Sequence, residues 1–68
     1  MTGIDKVIAA AGTQAALAKQ EGVSQQIVSR WVSRGYVPSS RVVGLSATYG
    51  IPKAELIDPR LRDLLDVE

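Results

Sequence analysis

Thr13–Arg34, TQAALAKQEGVSQQIVSRWVSR, is the stretch whose reading decides the fold. It parses into two short helices joined by a tight turn at Gly22. In the second, Val28, Trp31 and Val32 recur at helical spacing and form one apolar stripe. Gln25, Gln26, Ser29, Arg30 and Ser33 fall on the remaining arc, and no carboxylate falls among them. Amides, hydroxyls and a guanidinium match the donors and acceptors that base pairs present in the major groove.

The local chemistry supports both helices. Thr13 is a good N-cap for a helix over Gln14–Glu21. Ala15, Ala16 and Ala18 are small enough to let another helix approach, and Leu17 supplies bulk. Ser24 caps the second helix, which runs to about Arg34 and is ended by Gly35.

Outward from this pair, the N-terminal flank reads as a helix. Thr2-Gly3-Ile4-Asp5 fits a capping box, and Ile4, Val7, Ile8 and Ala11 form a buried stripe before Gly12. On the other side, Val37-Pro38-Ser39-Ser40 connects to a helix over roughly 39–49, with Val42, Leu45 and Tyr49 inward. Proline suits that start because a first-turn N–H has no partner inside the helix. Ile51–Leu56 restarts as a short helical turn, and Asp58-Pro59 opens a last segment carrying Leu61, Leu64 and Leu65. Gly12, Gly22, Gly35 and Gly50 each follow a helical stretch, where a left-handed residue closes a helix at least cost. No strand pattern survives. The expectation is an all-α fold, a compact bundle of about five short helices in a single domain over 1–68. Its helix-turn-helix would span 14–33 and its C-terminal extension 58–68.

Sixty-eight residues leave no room for a second core. Without cysteine or histidine, disulfides and the usual zinc sites are excluded, and the commonest general base is missing. No enzyme, metal, cofactor or small-molecule substrate is expected. Asp5 and Lys6 interrupt the only N-terminal apolar run, so neither a signal peptide nor a membrane span is expected. A cytoplasmic protein is the expectation, in a bacterial or phage-infected cell and associated with the nucleoid. The net charge of +1 divides unevenly. Lys6, Lys19, Arg30, Arg34 and Arg41 outweigh Asp5 and Glu21 over residues 1–44, for +3. Lys53, Arg60 and Arg62 against Glu55, Asp58, Asp63, Asp66 and Glu68 give −2 over residues 45–68. Such a layout orients a protein on a polyanion despite a small total charge.

Gln14 to Ser33 resembles the helix-turn-helix of phage Cro and CI repressors, a lambda-repressor-like DNA-binding domain. The likeness rests on small Ala18, Gly22 in the turn, and apolar Leu17, Val23, Val28 and Trp31. Trp31–Pro38, in which a glycine and a proline-started helix follow, is similar to the small Cro-like and YdaS-type antitoxin proteins. The resemblance covers roughly residues 3–58. Glu21 departs from it, since repressors often carry an apolar residue there.

The resemblance implies a sequence-specific regulator of double-stranded DNA, a Cro-like repressor at an operator. The alternatives are an antitoxin that represses its own operon and binds a toxin, and a helical protein-interaction module that binds no DNA. Carried over by position, the base-reading candidates are Ser24, Gln25, Gln26, Ser29, Arg30 and Ser33. Glutamine can bond an adenine edge through both amide atoms, and arginine a guanine through O6 and N7. The phosphate candidates are Gln14, Arg34, Tyr36, Ser39, Ser40 and Arg41. Arg41 has an alternative partner in Glu21, and Ile27 is open between rim packing and a thymine methyl. Leu61, Leu64 and Leu65 either cover the domain's own core or form a dimer contact. A homodimer at least on DNA is expected, because two half-sites raise affinity and specificity together.

Overall fold

The computed structural model describes residues 2–61, so Leu64 and Leu65 lie outside the described residues. Five α-helices follow in order: α1 Gly3–Ala11, α2 Gln14–Glu21, α3 Gln25–Arg34, α4 Ser39–Tyr49 and α5 Lys53–Leu56. A 3-10 turn, Pro59–Leu61, completes them, and no strand occurs among the described residues.

The helix starts have the partners their sequences call for. Thr2 accepts the Asp5 N–H at 3.3 Å while Asp5 Oδ2 accepts the Thr2 N–H at 3.0 Å, the reciprocal capping box. Those bonds hold the Asp5 carboxyl below the ordinary carboxylate range, the backbone N–H being the largest cause. The cap is therefore complete above the unfolded-state value and is lost as pH falls through the lowered one. Thr13 Oγ1 accepts the Ala16 N–H at 3.0 Å, and Ser24 Oγ accepts the Ile27 N–H at 3.3 Å. At Asp58-Pro59 the N-cap is realised as a short 3-10 turn, with the Leu61 N–H on Asp58 O.

Between α2 and α3 the turn is a Schellman ending. Gly22 has φ +69°, its N–H reaches Lys19 O, and the Val23 N–H reaches Ala18 O at 3.0 Å. A side chain at that φ is strained, so glycine is required. The four helix-ending glycines all have positive φ, but Gly12, at φ +110° and ψ −56°, lies outside the left-handed helical region that the other three occupy.

One core joins Ile4, Val7, Leu17, Ala18, Val28, Trp31, Val37, Val42, Leu45 and Leu56. Helix α1 packs against each of the other four, so it is the hub, while α2 and α3 make the closest single pairing. The predicted stripes of α1, α3 and α4 are the buried ones, with Ile8, Ala11, Val32 and Tyr49 at their edges. In α2 the expectation is corrected. Only Leu17 and Ala18 are buried; Ala15 and Ala16 face solvent, because α2 offers one narrow row to α1 and α3. Val37, in a connector with no periodicity, is a core residue whose N–H donates to Leu56 O at 2.9 Å. Leu61 is 38 % exposed and stands outside the core.

Helix α4 turns an uncharged face outward: Ser39, Ser40, Val43, Gly44, Ala47 and Thr48 are all exposed. Nothing lies within 4 Å of a Cβ built on Gly44, and its backbone is helical. Gly44→Ala should therefore stabilise the protein by ~0.5–1 kcal/mol, through lost freedom in the unfolded chain. Chemical denaturation reads this directly; a lower midpoint would show that the open space at Gly44 is needed.

Candidate nucleic-acid interface

Helix α3 is fixed at both ends before its surface is considered. Ser24 caps it, the Gly35 N–H closes it on Trp31 O at 2.8 Å, and Val28 and Trp31 hold its inner side in the core. The outer arc is then determined by helical geometry. Gln25, Ser29 and Ser33 form one row, with Gln26, Arg30 and Arg34 beside it, and all six are exposed. Gln25, Gln26, Ser29 and Arg30 surround an open hollow on that face. Thus the structure brings the predicted base-reading residues onto a single surface. Ser24 stands at its edge with one lone pair committed to the cap. Ile27 is 38 % exposed and sits beyond Arg34, at the rim rather than in the core.

The charges sort themselves around this face. Every described carboxylate is engaged: Asp5 in its capping box, Glu21 with Arg41, Glu55 with Lys6 and Asp58 with Arg60. Among the described residues, Lys19, Arg30, Arg34 and Lys53 form no ion pair. Three of these four uncompensated cations belong to α2 and α3. The local field at the helix pair is therefore more positive than a net charge of +1 suggests.

The predicted phosphate contacts divide. Gln14 is half-buried at the first turn of α2, and its Oε1 accepts the Ser29 hydroxyl at 2.9 Å. Arg34 is exposed at the C-terminal end of α3. Ser39 and Ser40 are exposed at the start of α4, where Pro38 provides no side-chain cap, so the first-turn N–H groups suit an anion. Arg41 is drawn inward. Its Nη1 donates to Glu21 O at 3.1 Å and pairs with Glu21 Oε1 at 3.3 Å, which is the alternative the sequence left open. Tyr36 is half-buried with the Arg60 guanidinium beside it, and Arg60 is itself paired with Asp58 at 2.7 Å.

Glu21, the alternative partner of Arg41, has a structural role. By accepting from Arg41 it ties the end of α2 to the first turn of α4, and the guanidinium also satisfies a terminal carbonyl of α2. Arg41→Ala should cost ~1 kcal/mol, the net worth of one partly shielded bond to a charged donor plus a weak ion pair. In a domain of this size that lowers Tm by roughly 4–8 °C. An unchanged melting curve would leave the latch without energetic weight.

A capped helix pair, glycine-turned and presenting an amide- and guanidinium-lined outer face, defines a small all-helical protein of the helix-turn-helix type. The chain belongs to the family described as "Bacterial toxin YdaS", whose model matches residues 4–55. That span includes all five α-helices apart from the first residue of α1 and the last of α5. Fold and membership together make it a small helical protein of the regulator or antitoxin type. No curated protein and no solved structure matches the chain. Among the described residues, no helix is long and apolar enough to cross a membrane.

Proposed function

We propose that the chain is a sequence-specific regulator of double-stranded DNA, a Cro-like repressor that lays α3 in the major groove of an operator. The observation that carries this is the exposed, carboxylate-free face of Gln25, Gln26, Ser29, Arg30 and Ser33 on a helix clamped at both ends. A rigid helix puts base-edge contacts in register without further ordering cost. Arg34, Gln14 and the start of α4 supply the sequence-independent part of binding, and Lys19 of α2, in no ion pair among the described residues, adds to the positive field. Occupancy of the operator excludes polymerase. Two copies bind half-sites about one helical turn apart, as a two-fold dimer on the DNA.

Selection from random duplexes tests this reading. The expected result is an enriched, palindrome-like site whose binding constant falls linearly with salt on logarithmic axes, through counterion release. A pool that shows no enrichment, or binding insensitive to salt, rejects it.

A second reading is favoured by the family match: an antitoxin-type regulator that represses its own operon and also binds a toxin-related protein partner. The two share the DNA face and differ in the second surface. An autoregulatory site upstream of a toxin gene, with co-purification of that gene's product, selects this reading over a free-standing repressor.

A further inference from the structure

Resting on the DNA-reading proposal, the structure assigns to Gln14 a role in sequence specificity: it fixes the hydrogen-bond polarity with which Ser29 meets the base edges. A serine hydroxyl has one proton and two lone pairs, and its proton rotates to suit its surroundings. Here that proton is committed, since Ser29 Oγ donates to Gln14 Oε1 at 2.9 Å across the turn from α2 to α3. What Ser29 turns toward the hollow shared with Gln25, Gln26 and Arg30 is therefore acceptor only. In the major groove, donors are the N6 amino group of adenine and the N4 amino group of cytosine, whereas guanine and thymine place only acceptor atoms at the corresponding edge. The base facing Ser29 is accordingly adenine or cytosine.

The same bond orients the Gln14 amide. With Oε1 turned to Ser29, the NH2 end is left to donate, and a phosphate oxygen is an acceptor without donors. A backbone contact through that NH2 and the polarity of Ser29 are then two ends of one amide. A flip of the amide would lose the phosphate bond and reverse the serine together. Gln14 is a positioning residue here, acting on the base through Ser29.

Site selection with the intact chain and three variants tests this, with thermal melting to confirm that each is folded. At the position whose preference vanishes in Ser29→Ala, removing the exocyclic amino group of the pair (purine for adenine, 2-pyrimidinone for cytosine) should weaken wild-type binding by about fivefold to tenfold, the worth of one neutral hydrogen bond. Gln14→Glu keeps an acceptor for Ser29, so the preference at that position should persist while affinity for every sequence falls. Gln14→Met frees the hydroxyl to rotate, so preference at that one position should disappear while the others hold. Wild-type affinity that is unchanged when the exocyclic amino group is removed from the pair at the Ser29 position, or an unchanged preference in a folded Gln14→Met, overturns the assignment. Absence of any enriched site for the wild type instead rejects the DNA-reading proposal itself.

Discussion

Gly3→Ala is expected to destabilise the protein by ~1–3 kcal/mol or more, because the added methyl is forced into a packed backbone. A Cβ at Gly3 would lie 2.3 Å from Glu55 O, 2.7 Å from the Glu55 carbonyl carbon and 2.9 Å from its Cβ. Two of those atoms are main chain, so no rotamer change relieves the overlap; α1 and α5 must move apart. That seam is held by the Lys6–Glu55 ion pair and by Ile4 and Leu56, each fully buried. A chain of 68 residues has a total stability of about 3–10 kcal/mol, so the substitution removes a large share of it. Denaturant unfolding should show the midpoint falling with little change in slope. Because Gly44→Ala is expected to act in the opposite sense, the two variants separate close packing from helix propensity. A Gly3→Ala protein as stable as wild type would mean that α5 does not sit on α1 as described.

That contrast shows where the sequence is readable and where it is not. Helix bounds follow from local signals: Thr2, Thr13 and Ser24 accept N–H groups three residues on, and Gly22, Gly35 and Gly50 end helices with positive φ. The outer face of α3 is equally legible, because burying Val28 and Trp31 leaves Gln25, Gln26, Ser29, Arg30 and Ser33 no other direction. Contacts between elements distant in sequence are not. Nothing near Gly3 announces α5, and nothing in Val37-Pro38 announces a core valine bonded to Leu56. Helix α2 misled for a related reason. Three alanines are equally small, and only the placement of α1 and α3 decides that Ala18 alone is covered. The choice of Glu21 over a phosphate by Arg41, and of Ser29 by Gln14, depends on where α4 and α3 come to rest.

The largest functional effect is expected at Arg30. Its side chain is exposed on α3, one turn along from Gln26, borders the hollow with Gln25 and Ser29, and forms no ion pair among the described residues. A planar guanidinium free of carboxylates presents two parallel donors, the match for O6 and N7 of guanine. Arg30→Ala should lower affinity for the selected site by roughly 5- to 150-fold, the equivalent of ~1–3 kcal/mol for one bidentate base contact. The loss should be confined to a single position in each half-site, where the requirement for guanine disappears. Arg34→Ala provides the comparison, because it lies on the same helix, carries the same charge and is exposed at the C-terminal end. Its removal should weaken binding to all sequences about equally and reduce the steepness of the salt dependence by about one counterion. The pair distinguishes base reading from backbone attraction without any change of fold, since neither side chain contributes to the buried core. If both variants lost affinity evenly across sequences, α3 would be a backbone-binding helix and the specific reader would have to be sought elsewhere. If neither affected duplex binding, the acid-free face of α3 would instead be a surface for a protein partner.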